Sequence, residues 1–120
     1  MNQENIEAEK SKAFIVVEII EYMPNSVVIK TIIRKTTGNV TAVSFDSGEA
    51  LARKISPFDT FIQVIDGKAE IMIDDHLNIL ETGQSIIVPA NTWNSIHASV
   101  RFKMISTIIK SGYEDAVVHL

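Results

Sequence analysis

With 120 residues, 46% of them hydrophobic, the chain has the size and apolar content of one compact domain with a real core and little material for a second. A formal charge of −4, with 11 basic residues dispersed along the chain, offers no basic stripe, so neither nucleic acid nor an acidic membrane surface is expected as a partner. The lack of cysteine excludes a disulfide scaffold and thiolate-held zinc or iron–sulfur clusters, and Met1 to Lys12 lacks the basic-then-apolar order of a secretion signal. A soluble, cytoplasmic protein is therefore expected.

In chain order, residues 1–12 are polar and are expected to form a mobile tail, residues 13–110 a single barrel domain, and residues 111–120 a C-terminal tail. The apolar stretch Ala13 to Met23 is interrupted by Glu18 and Glu21 and has about half the length needed to span a bilayer. Its periodicity fits neither helix nor strand cleanly, which leaves a short helix or an irregular lead-in. After the turn signal Pro24-Asn25-Ser26, the β-branched run Val27 to Arg34 reads as a buried strand, and Asn39 to Phe45 as a second with two unlike faces. Gly48 to Pro57 loses strand character. Phe58 to Ile65 and Lys68 to Ile73 flank Asp66-Gly67, a strong hairpin signal. Asp74-Asp75 marks another turn, followed by short strands at Asn78 to Leu80 and Ile86 to Val88, and Arg101 to Lys110 forms the last long one. Many short strands separated by polar turns predict an all-β sandwich or barrel.

Two spacings carry a family resemblance. Gly48 and Gly67 bracket positions 54, 56 and 60, and Gly83, Pro89 and Asn91 precede position 94, with the fifteen residues Lys68 to Thr82 between the two blocks. These blocks resemble the two motifs of the cupin family, and the strings Gln63-Val64-Ile65-Asp66-Gly67-Lys68 and Val88-Pro89-Ala90-Asn91 are similar to those of small stand-alone bacterial cupins. The resemblance covers roughly Ser26 to Lys110 and implies a double-stranded β-helix, or jelly-roll, barrel. The glycines themselves suit turns of positive φ, and Pro89 stops a strand because it cannot donate to the ladder.

Cupin metal centres resemble three histidines and a glutamate converging inside the barrel, a donor set for divalent iron, manganese, nickel or zinc. In this chain the corresponding positions read Lys54, Ser56, Thr60 and Asn94. An ammonium repels a cation, and neutral hydroxyl and amide oxygens are weak ligands, so no metal cofactor is expected. Of the histidines, His76 lies in a turn and His119 beside the C-terminus, while His97 should face away from position 94 by strand parity, unless a bulge turns it inward as a relocated ligand.

Parity also predicts the lining of a pocket: Lys54, Ser56, Thr60 and Asn94 near one mouth, with Ile62, Val64, Phe102, Met104 and Ser106 behind them. Lys54 either snorkels to water at the rim or stands in apolar surroundings, where it could bind a carboxylate or attack a carbonyl. Trp93 could fill the wall, form a subunit contact or cap the pocket. Glu49 and Asp59 flank the ligand region as candidate acids or bases, and Asp66, Glu70, Asp74 and Asp75 lack the alternation of a calcium loop. Three functions follow: metal-free binding or sensing of an anionic or carbonyl-bearing small molecule; a cupin enzyme of isomerase, hydrolase or oxygenase type using Lys54 or His97; or a structural barrel with a filled core. Apolar content in Phe14 to Ile20 and Val27 to Ile33 predicts a homodimer.

Overall fold

β-branched residues concentrated from Val27 onward form strands, and the computed structural model, which describes residues 2–4 and 6–113, pairs them into two facing sheets. Nine strands lie among the described residues: β1 (Asn2–Glu4), β2 (Val27–Lys35), β3 (Gly38–Phe45), β4 (Ala50–Lys54), β5 (Thr60–Ile73), β6 (His76–Glu81), β7 (Ser85–Val88), β8 (Asn94–His97) and β9 (Phe102–Ile109). The larger sheet has the order β1-β2-β3-β9-β5-β7, and the facing sheet the order β6-β5-β8-β4. The 14-residue β5 belongs to both. Its first half pairs with β7 and β9, its second half with β6 and β8, and this sharing closes the sheets round a common interior.

That long strand corrects the hairpin expected at Asp66-Gly67. Gly67, at φ +85°, bends the strand inside β5, and a Cβ there would stand 2.9 Å from Phe102 Cα and press on the Arg101 carbonyl. A register shift between Val64 and Asp66 marks the same bend. Local turn chemistry competes here with long-range pairing to β9 and β6, and the pairing wins. The hairpin turn comes later, at Asp74-Asp75, where Asp74 has φ +50° and Ile73 pairs with His76. The segment Gly48 to Pro57, expected to lack strand character, holds β4. Only Leu51 of its five residues is even half-buried, so an edge strand of this kind shows no hydrophobic alternation to read.

The N-terminal lead-in is irregular apart from one 3-10 turn at Val16–Glu18. It lies on the outer face of the larger sheet, where Ile20 joins Val28, Ile32, Ala42 and Ile105 in a second apolar cluster. Polar bonds fasten it: Lys103 Nζ donates to Val17 O at 2.7 Å, Ser44 Oγ to Glu21 O at 2.8 Å, and Tyr22 OH to Asp66 at 2.6 Å. Burial, followed by the bond to Asp66, pushes the Tyr22 phenol above its ordinary value. In place of the tail expected over residues 1–12, Asn2–Glu4 runs parallel to Val28–Lys30, and Ala8 N donates to Ile32 O at 3.1 Å. The backbone groups of β2 would otherwise form an open edge, and pairing them supplies the reason for this order. Of the expected C-terminal tail, residues 114–120, with His119, lie outside the described residues. No helix among the described residues is long and apolar enough to cross a membrane.

Candidate binding lumen

Strand register stacks the inward-facing residues of the larger sheet into four tiers. The floor is Val27, Phe45, Phe102 and Gly67, joined in cross-strand register. The Phe45 and Phe102 rings stack with centroids 4.4 Å apart at 12°. Above lies an apolar tier of Ile29, Val43, Met104 and Val64. The third tier, Thr31, Thr41, Ser106 and Ile62, introduces three hydroxyls, and the fourth is Arg34, Asn39, Ile108, Thr60 and Val88. Polarity therefore rises from floor to mouth. Across the interior, the facing sheet contributes Leu51 paired with Ile96, and Lys54 paired with Asn94. Together these walls enclose a cavity of about 330 Å³.

Seven of the nine pocket residues named from the sequence line this cavity: Lys54, Ser56, Thr60, Ile62, Asn94, Met104 and Ser106; Val64, buried in the tier above the floor, does not. Nor does Phe102. It faces inward as parity requires, but it sits in the floor, fully buried against Phe45, because alternation fixes a face and says nothing about depth. Asn94, 6% exposed, directs its Nδ2 at the carbonyls of Thr92 and Lys54, 3.4 and 3.5 Å away, across the β8–β4 pairing. Ser56 Oγ accepts the Phe58 N–H at 3.2 Å. Lys54 is exposed at the mouth.

The four positions that would carry cupin metal ligands thus meet at one cavity, but their donors do not fit a transition metal. They comprise one ammonium, two hydroxyls and an amide, with no imidazole and no carboxylate. Among the described residues no three His, Asp or Glu side chains converge. His97 points outward, opposite Asn94, and its Nδ1 stands 3.7 Å from Glu70 Oε1. Ser99 Oγ also donates to that Glu70 carboxylate. His76 is exposed at the start of β6, and Trp93 is 43% exposed with Arg53 stacked 4.6 Å over its ring. Asp59 accepts the Ala90 N–H at 2.8 Å, and neither it nor Glu49 lines the cavity.

Three cations that sequence reasoning did not single out also line the cavity: Arg34, Lys35 and Lys110. A β-bulge between Thr31 and Ile33 advances the strand by one residue, so Arg34, not Ile33, continues the inner face above Ile29 and Thr31. Ile33 is turned out and 46% exposed. A cation at the end of β2 and another just beyond β9 was the available signal, but strict alternation from Val27 points Arg34 outward.

No family model matches the chain, and no curated protein matches it. Solved structures do. A conserved protein of unknown function from Streptococcus pyogenes is 25% identical, with a TM-score of 0.82 over 93% of this chain and 96% of that one. A cupin superfamily protein from Desulfitobacterium hafniense is 23% identical, with a TM-score of 0.77 over 86% of this chain and 94% of that one. A cupin 2 conserved barrel domain protein from Leptotrichia buccalis is 29% identical, with a TM-score of 0.76 over 78% of this chain and 46% of that one. Glycine and proline spacing, a β-strand shared between two facing sheets, and these likenesses agree on the fold: the chain is a double-stranded β-helix barrel like those of the cupin superfamily proteins it resembles.

Proposed function

We propose that the chain binds a small molecule in the barrel lumen without a transition metal. The observation that carries this reading is the open cavity of about 330 Å³ at the point where Lys54, Ser56, Thr60 and Asn94 meet. A space of that size, mostly apolar with a few convergent polar groups, matches the usual form of a small-molecule site. A barrel serving only as a structural unit would fill its interior with side chains, as the Phe45–Phe102 floor does. The donor set argues against metal chemistry, and Lys54 at the mouth favours an anionic or carbonyl-bearing ligand.

Two measurements test the reading. Elemental analysis of protein purified without chelator should find iron, nickel, manganese and zinc well below one per chain; about one tightly held metal per chain would defeat the metal-free part. A thermal-shift screen of small carboxylates, phosphate esters and ketoacids should yield ligands that raise Tm. A screen without a single hit would return the lumen to ordinary core.

A further inference from the structure

We infer that the ligand is an amphipathic small molecule with a dianionic head, held head-outward by Arg34, Lys35, Lys54 and Lys110, and this rests on the lumen being the binding site. The first ground is the polarity gradient. Ile29, Val43 and Met104 make the lower wall apolar, Thr31, Thr41 and Ser106 add hydroxyls at mid-height, and the cations stand only at the top. A molecule matching that order has an uncharged, largely hydrocarbon end and a charged end, and it enters in one orientation.

The second ground is charge. Among the described residues no carboxylate lines the lumen, although the whole chain carries −4. Among the described residues none of the four rim cations has a carboxylate within 4 Å. Two acids near that end each accept a backbone bond: Glu7 Oε2 accepts the Arg34 N–H at 3.2 Å, and Asp59 Oδ1 accepts the Ala90 N–H. Arg34, Lys35 and Lys110 also line a depression outside the mouth together with Thr36 and Thr37, so the positive surface continues past the lumen. Four like charges round one opening repel each other, and a head with two negative charges relieves that repulsion better than one. The planar fork of Arg34 suits two oxygens of a phosphate or a dicarboxylate.

The third ground is independent of the charges. Thr31 lines the cavity, and among the described residues no buried side-chain polar atom is left without a hydrogen-bond partner, so its hydroxyl stands open to the lumen, in reach of an acceptor part-way along a ligand. The cavity volume sets the scale of such a ligand at on the order of ten non-hydrogen atoms.

Isothermal titration calorimetry on the full chain separates the parts of this inference with four probes: hexyl phosphate, hexanoate, hexanol and inorganic phosphate. Hexyl phosphate should bind at least about tenfold more tightly than any of the other three. Its affinity should fall about tenfold or more in an Arg34→Gln/Lys110→Gln variant, and should fall again between about 0.05 and 0.5 M salt. Both substitutions are at exposed positions, so the variant keeps its fold, which a thermal melt verifies. Hexanol binding as tightly as hexyl phosphate would overturn the dianionic head and leave the lumen reading standing. Inorganic phosphate binding as tightly would overturn the apolar end. Silence from all four probes would overturn the inference, and silence in the wider thermal-shift screen would take the lumen reading with it.

Discussion

At the closed end of the barrel, Asp46 follows Phe45 and Arg101 precedes Phe102, and the two charges stand 3.2 Å apart beside the stacked rings. Asp46 also accepts the Asn25 N–H at 2.7 Å. At the open end, Arg34, Lys35, Lys54 and Lys110 line one cavity, with no carboxylate in its wall among the described residues. The same sheet supplies both ends, since β2, β3 and β9 run from one to the other. The difference teaches how one set of strands divides its work: apolar stacking and paired charge hold the fold at one end, while unfilled space and unpaired charge at the other are what a ligand could use. Changes at the floor should therefore move stability, and changes at the rim should move binding.

The largest effect expected from breaking this contrast is at the floor. Phe102 has no exposed surface and stacks on Phe45, so Phe102→Ala removes both the buried ring and its partner contact. A loss of about 3–5 kcal/mol is expected, read from denaturant midpoints at unchanged m value. A loss below about 1 kcal/mol would mean that the floor collapses round the gap and is not the rigid end of the barrel.

Which of these ends could be read in the sequence follows from the range of the forces that build them. Lys54, Ser56, Thr60 and Asn94 were legible as neighbours because glycine and proline spacing sets short loops and strand ends, and all four reach one cavity. The course of the chain at Asp66-Gly67 was not. A hairpin signal is local, whereas the bend inside β5 depends on β9 lying against Gly67. Arg34 escaped for a similar reason: one bulge reverses parity, and nothing near Thr31 in the sequence announces it. Phe102 was placed on the right face at the wrong height, because period-two alternation has no marker for depth. The fold was thus far more legible than the rim, whose four cations come together only through long-range pairing.

An intermediate effect is expected from the charge at the closed end. The backbone N–H groups of Asn25 and Ser47, and then Arg101, hold the Asp46 carboxyl below its ordinary value. A carboxyl depressed in the folded state contributes stability above its unfolded value, and that contribution is lost as pH falls through the folded one. Asp46→Asn should accordingly lower Tm at neutral pH, by less than Phe102→Ala. The difference from the parent should shrink as pH is lowered towards about 2. A difference that stays constant across that range would show that the carboxyl's charge is not what the closed end uses.

The smallest change in stability, and the sharpest test of the contrast, belongs to Lys54→Met. The position is exposed at the mouth, where the other three rim cations line the same cavity and, among the described residues, no carboxylate stands in the wall. Removing one of four like charges takes away repulsion and breaks no ion pair, since among the described residues Lys54 has none. The methionine keeps most of the aliphatic stem, so packing along the wall is preserved. Stability should change by no more than about 0.5 kcal/mol, and any change should be a gain at low salt. That gain should fade as salt screens the remaining charges, because exposed groups separated by more than a Debye length of about 8–10 Å stop interacting. Thermal melts of parent and variant at low and high ionic strength read this directly. A clear loss of stability at low salt would mean that Lys54 holds the fold together as Arg101 does, and the division between the two ends of the barrel would fail at the residue on which the binding proposal leans most.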